Sequence, residues 1–320
     1  MKKTLVALAV MAVAGSANAS IELYNKDGVT ANLKGDIEVR YKKGFAKDGA
    51  KHSDAELTQE VDDADFAFDL RYAVNDDLQV GGFFEVQDTG SKTGDAYIGF
   101  YSASMGDIVF GRTATILDDL GIGSDYLFGV TSKVDNFDFS GDEVVKYTLD
   151  KGQFYGGIAF LQNKSADHEK LKDADSSHVD AKLGARFGDL DVQGFFGKTK
   201  GVKTGGDLTI LALEGAYTID ALKLEASFSQ GKLDESGSTV KTNIVGAAAT
   251  YTMDAWTFGA GLSNSKADTD GADAVNNSFI NAGYALTSNV TAYAEVGFTT
   301  AKDTEDKNGT GYGFGVKASF

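Results

Sequence analysis

Sixteen times along this chain a segment of about ten residues alternates apolar with polar side chains and then closes on a turn or a polar loop. In ALKLEASFSQ (221–230), Leu222, Leu224, Ala226 and Phe228 share one face, and Lys223, Glu225, Ser227 and Ser229 share the other. The first such segment is NLKGDIEVRYK (32–42) and the last is TGYGFGVKASF (310–320), ending on Phe320. Short turns such as Asn75-Asp76-Asp77, Gly188-Asp189 and Met253-Asp254 alternate with longer charged, glycine-rich connections. Tight turns at one end and long loops at the other describe an all-β, 16-stranded antiparallel up-and-down barrel.

The alternation also has a direction. Sixteen strands enclose a space too wide for side chains to fill, so an apolar face turned inward would line a void. Turned outward, the same face meets lipid and the polar face lines water. A basic residue on the lipid face at the bilayer midplane costs ~2–4 kcal/mol. Lys34, Asp36, Glu38, Arg40, Lys182, Arg186, Glu225, Glu295 and Lys317 are therefore assigned to the interior of a transmembrane barrel, which is expected to be polar and wet. Tyr41, Tyr72, Trp256, Tyr312 and Phe320 fall near strand ends, where aromatic girdles sit.

Residues 1–19, MKKTLVALAVMAVAGSANA, join Lys2 and Lys3 to an apolar run from Leu5 to Ala14 and then to Ala17-Asn18-Ala19. This is the pattern of a cleavable secretory signal, and the run is shorter than the ~20 residues of a spanning helix. Residues 20–320 are expected to form the barrel. Without Lys2 and Lys3, 28 of the 30 basic residues stand against 47 acidic ones, a formal charge of −19. That balance argues against nucleic acid as a partner, because phosphates are neutralised by basic stripes. Cysteine is absent, which excludes disulfides and thiolate metal sites. Proline is absent as well, and this suits paired strands, since proline removes a ladder donor.

The three histidines, His52, His168 and His178, fall in or beside expected external loops. No GxSxG, HExxH or GxxxxGK[ST] string accompanies them, so neither an enzyme nor a cofactor is expected. Asp167, His168, Glu169 and Asp173 have the residue types of a metal site but read more simply as a solvated charge run.

IELYNKDG (21–28) followed by NLKGDIE, GDIVFGR (106–112) followed by LDDLGIGSDYLFG (117–129), and the final strand ending in Phe320 resemble, in the same order, motifs of the Gram-negative general porins. The likeness runs from end to end. It implies a homotrimer of barrels in the outer membrane, each with a long third loop folded into its lumen. Acids on that loop would face basic residues on the wall, and the field between them would filter small hydrophilic solutes. The resemblance also implies that Phe320 is read by the outer-membrane assembly machinery.

Asp125 falls on the position of one usual loop acid, with Asp118 and Asp119 just upstream. The other usual loop acid is missing, because only Phe128-Gly129 remain of the family's Pro-Glu-Phe-Gly-Gly. On the wall, Asp36 stands where a lysine is common, and Asp65 and Gly94 (beside Asp95) stand where arginines are common. The next arginine position is held by Ser140 or, after a loop extension, by Lys133 and its neighbours.

Charges beyond ~8 Å are screened at physiological salt, so only those at the narrowest section govern selectivity, and rings of carboxylates there favour cations. With Asp65, Asp95, Asp118, Asp119 and Asp125 approaching the waist, and Arg40 with Arg112 or Lys133 opposite, the expectation is a cation-preferring diffusion pore. Two other readings share the barrel. An oligosaccharide channel would show an aromatic ladder, for which Phe83, Tyr97, Tyr101 and Tyr293 are the inward candidates. An adhesin or phage receptor would use the charged loops at 43–61 and 164–177, whose acids are also suited to bridging divalent cations with lipopolysaccharide.

Overall fold

The computed structural model describes residues 20–46, 50–87, 92–132, 139–235 and 237–320, so the leader expected at 1–19 lies outside the described residues. Within them the chain forms seventeen strands: β1 (Ile21–Lys26), β2 (Val29–Lys43), β3 (Thr58–Ala73), β4 (Leu78–Gln87), β5 (Lys92–Ser102), β6 (Gly106–Ala114), β7 (Ser140–Asp150) and β8 (Phe154–Gln162). The second half adds β9 (Ser177–Phe187), β10 (Leu190–Lys200), β11 (Asp207–Ile219), β12 (Leu222–Glu235), β13 (Ser238–Met253), β14 (Trp256–Ala267), β15 (Val275–Thr287), β16 (Val290–Thr299) and β17 (Gly309–Ser319). From β2 onward each strand pairs antiparallel with the next. The last strand returns to the first, Tyr312–Ser319 lying against Lys43–Asp36. Sixteen strands thus close on themselves.

The seventeenth strand, β1, was not expected from the sequence, and the closure explains it. β17 covers β2 only as far as Asp36, and β1 takes over the same edge from Leu33 to Val29. Between them Gly35 and Phe320 exchange two backbone hydrogen bonds, at 2.7 and 2.8 Å. Strands β17 and β1 therefore lie end to end along one edge of β2. Unpaired backbone groups are costly in lipid, so the N-terminal hairpin completes the wall.

The sidedness is as expected. On β12, Leu224, Ala226 and Phe228 are exposed while Ser227 and Ser229 are buried. Around the rest of the wall large apolar side chains also point outward, Leu183 being 73% exposed and Leu213 56%. Tyr72, Tyr217, Tyr251, Trp256 and Tyr284 ring the short-turn end, with the Trp256 and Tyr284 rings 4.8 Å apart.

The expectation of a uniformly polar interior is corrected. On the inner side of β7–β12, Val144, Leu161, Phe195, Leu208 and Ile210 point inward and are buried. They are roofed by Ile116, Leu117, Leu120 and Phe139 of the segment after β6, and by Leu171 and Val202 of two external loops joined by a β-bridge. The bore beside these strands is therefore filled by an apolar cluster under the loops, while toward the short turns Asp150, Tyr155, Lys182 and Arg186 of β7–β9 line a polar space. The alternation rule fails at the cluster because a folded-in segment gives these inward positions an apolar surface to bury against. A Leu213→Arg barrel is expected to lose about 2–4 kcal/mol of stability, read from urea titration of folding into lipid vesicles. An unchanged midpoint would mean that this face does not meet lipid.

Candidate functional site

The segment between β6 and β7 enters the lumen with polar backbone groups that no strand pairs, and wall carboxylates take that role. It opens with a 3-10 turn (Ile116–Asp119) whose first amides, from Ile116 and Leu117, donate to Asp180 on β9 at 3.2 and 2.7 Å. Next, the Gly123 amide donates to Glu225 on β12 at 3.2 Å. At the far wall, Glu295 on β16 accepts from the amides of Tyr126 (2.6 Å), Phe128 (2.7 Å) and Gly129 (3.3 Å), and from the Asn281 side chain (3.0 Å). Asp180 and Glu295 are 0% and 1% exposed. Such burial is tolerable only because amide dipoles replace the lost water around each charge.

Small residues make room for this path. The Phe128 ring lies over Gly297 and Gly311, where a Cβ on either would collide with it. Gly129 has φ +60° and sits under the Asp125 carboxylate, so both its conformation and its neighbour require glycine. The segment turns back from there, with the Thr131 amide on Ser263 Oγ (3.0 Å) and the Ser229 hydroxyl on the Ser132 carbonyl (2.7 Å). Lys42 on β2 also reaches it, donating to the Leu127 carbonyl at 3.0 Å.

The expected wall residues Asp36, Glu38, Arg40 and Asp65 come together beyond the loop tip. The register places Asp36 opposite Asp65 and Glu38 opposite Asp63 on the inner faces of β2 and β3. Lys317 on β17 reaches into them, 2.9 Å from Asp36, 3.7 Å from Asp63 and 4.0 Å from Glu38. Arg40 is held by Glu60 at 2.6 Å, by Asp62, and by Glu38 at 3.9 Å. Glu38 also accepts from the Tyr293 hydroxyl. Three cations, Arg40, Lys317 and the neighbouring Lys42, thus stand among six carboxylates, Asp36, Glu38, Glu60, Asp62, Asp63 and Asp65. A bulge between Glu38 and Val39 shifts the register of Glu60 and Asp62, which sequence reading therefore missed, whereas Asp63 keeps the register of Asp65 and was legible in the alternation.

Asp95 and Arg112 form a second group on β5 and β6. The Asp95 carboxylate accepts from Thr113 at 2.8 Å and its amide donates to Glu85 at 2.9 Å. Arg112 pairs with Asp142 at 2.8 Å and donates to the Gly94 carbonyl, so it is not opposite Asp125. Asp119 is compensated by Lys182 at 2.5 Å, while Asp118 is exposed beside it. Lys133 lies outside the described residues.

Asp125 makes no ion pair with any described residue, and its side chain opens to the lumen. It nonetheless sits within the barrel among protein atoms, and this crowding, with the nearby Glu295 charge, raises its carboxyl above the usual aspartate range. The aromatic candidates do not form a ladder. Phe83 and Tyr97 stack on each other at 5.1 Å, and the Arg71 guanidinium covers Tyr101 at 3.2 Å. At the outer rim, the His52 amide donates to Asp303 (2.8 Å) and its Nε2 lies 3.1 Å from the Ala301 carbonyl, tying two loops together. His168 Nε2 lies 2.8 Å from the Ser140 carbonyl, and His178 is buried on β9 beside Asp180.

A narrowed, water-facing bore through a closed transmembrane barrel is the geometry of a diffusion channel, and known proteins agree. A sequence model of the Gram-negative porin family matches residues 4–304. Porin-like protein H of Photobacterium profundum is 34% identical over the whole of both chains. In-vitro folded OmpT, an outer membrane protein of Vibrio cholerae, superposes with a TM-score of 0.77 at 20% identity, covering 94% of this chain and 100% of that one. An anion-selective porin from Comamonas acidovorans superposes with a TM-score of 0.71 at 14% identity, covering 91% and 100%. The chain therefore belongs to the Gram-negative porin family and forms a channel of the outer membrane.

Proposed function

We propose that this porin passes small hydrophilic solutes without strict specificity and prefers cations. The observation that carries the reading is the imbalance beside the loop tip: six carboxylates around Arg40, Lys317 and Lys42, with Asp125 making no ion pair on the facing segment. Arg40 and Lys317 are engaged by wall acids and Lys42 by the Leu127 carbonyl, so little positive field is left for a passing anion. Low-dielectric walls focus the residual negative potential into the water path. The same fold carries an anion-selective porin, so preference belongs to the side chains at this section and not to the barrel. The closed stacking of Phe83 on Tyr97 speaks for a general pore over an oligosaccharide ladder. By likeness to OmpT, whose structures include a trimer form, the working unit is taken to be a homotrimer. Export by the 1–19 leader, recognition of Phe320 by the assembly machinery, and contact of the rim loops with lipopolysaccharide belong to the same reading.

Four outcomes test it. A unit charge ~5 Å away in water contributes about 0.8 kcal/mol before screening, so Asp125→Asn should lower the potassium-to-chloride permeability ratio roughly two- to fourfold in planar bilayers. A wild-type reversal potential of anion sign would refute the preference outright. Because the Asp125 carboxyl is raised, it takes up its proton at a higher pH than an ordinary aspartate of pKa ~3.9. Cation preference should therefore begin to fall above that pH on acidification, and Asp125→Asn should flatten this part of the profile. Glu295→Ala strips three loop amides of their acceptor. Each such bond to a charged group is worth about 1.5–3 kcal/mol, so single-channel current should become noisier and its mean conductance should rise.

A further inference from the structure

Strand β16 turns two side chains toward the loop tip, Tyr293 and Glu295, two residues apart on its inner face. Glu295 holds the loop by its amides, and Tyr293 holds it by a ring: the Tyr126 and Tyr293 rings stack at 4.4 Å with 5° between their planes. We infer that Tyr293 is a positioning residue for permeation, which joins the loop tip to the charged wall through its hydroxyl on Glu38 and thereby tunes ion discrimination. The inference goes beyond the cation-preferring reading, because it concerns the residue that adjusts discrimination whichever ion the channel favours.

Packing fixes both rings of the stack. Tyr126 lies over Gly283 and the Tyr293 hydroxyl lies over Gly315, and a Cβ on either glycine would collide with the ring above it. Tyr293 is 5% exposed and Glu38 7%, so the bond between them is shielded from solvent. A hydrogen bond to a carboxylate gains strength where the local dielectric is low, and a buried tyrosine hydroxyl calls for a partner of this kind. The loop tip, the β16 wall and the acids of β2 are therefore joined through one phenol.

The hydroxyl also governs how the nearby cations are shared. Arg40 and Lys317 lie 3.9 and 4.0 Å from Glu38, whereas Arg40 holds Glu60 at 2.6 Å and Lys317 holds Asp36 at 2.9 Å. Glu38 thus takes its close hydrogen bond from a neutral donor and leaves each cation to a nearer acid. Without that donor the Glu38 charge has no close compensation, because both cations beside it are committed elsewhere. Its field then reaches an ion in the water path within a screening length. The phenol weakens the contribution of one particular acid and leaves the other wall acids as they are.

The test is a mutant cycle on the whole porin in planar bilayers, read as the reversal potential in a KCl gradient, with insertion and conductance reporting that each variant has folded. Tyr293→Phe removes the hydroxyl and keeps a ring for Tyr126, and it should raise the potassium-to-chloride permeability ratio about twofold. Open-channel noise should rise less in this variant than in Tyr293→Leu, which loses the stack as well. In a Glu38→Gln background the same Phe substitution should shift the ratio by less than half as much, because groups in contact are not additive. Glu38→Asp, whose carboxylate stands one methylene further from the phenol, gives the same expectation and serves if the amide variant does not insert. A ratio unmoved by Tyr293→Phe, or equal shifts in the wild-type and Glu38-substituted backgrounds, would overturn the role. The sign of the wild-type reversal potential reports the cation preference separately from this cycle.

Discussion

Backbone hydrogen bonding in lipid is the constraint from which the rest of this structure follows. An N–H or C=O facing hydrocarbon has no water to turn to, so every strand must find a partner on both sides and the sheet must close. The short β1 is the clearest consequence: it covers the part of β2 that β17 does not reach, with Gly35 and Phe320 bonded at the junction. Closure then fixes sidedness, because strict alternation sends one set of side chains to lipid and the other to the bore. Once Leu213 faces out, Glu214 has to face in.

The same constraint acts again inside the barrel. A segment folded into the lumen brings its own amides and has no strand to pair with, so wall carboxylates are recruited: Asp180, Glu225 and Glu295, in the order the segment passes them. An ionised acid buried without a cation is expensive. Three converging amides give Glu295 what a cation would otherwise supply, and they hold the loop in one place. The acids of the bore thus divide into two kinds. Those under the loop accept its amides, and those on the open wall do not.

How much of this was legible depends on range. Period-two alternation is local, and it revealed the ring, its sidedness and the inward position of every assigned charge, Glu295 and Lys317 included. What it did not reveal was which inward acids the loop would claim, since Glu38 and Glu295 look alike in sequence and only Glu295 meets loop amides, more than 100 residues away. Signals of the folded-in segment were nonetheless present. DLTILALEGAY is apolar on both faces through Leu208 and Ile210, and the inward positions Gly311, Gly313 and Gly315 of the last strand leave space that something must occupy. The bulge at Glu38 and Val39 has no such mark, and it decides which acids meet Arg40.

The acidic wall carries a cost that bears on its purpose. Like charges directly opposite across two strands destabilise a sheet, and here Asp36 faces Asp65 while Glu38 faces Asp63. Lys317 touches three of these four and Arg40 is divided among three acids, so the repulsion is reduced without being cancelled. A wall built for stability alone would place one cation by each acid, as Lys182 stands by Asp119 and Arg112 by Asp142. The excess negative charge lies on the wall of β2 and β3 beside the loop tip, within a screening length of an ion in the water path there. On the cation-preferring reading proposed above, the repulsion tolerated at that section, while other acids of the bore are neutralised or bound by loop amides, is the cost of discriminating solutes by charge.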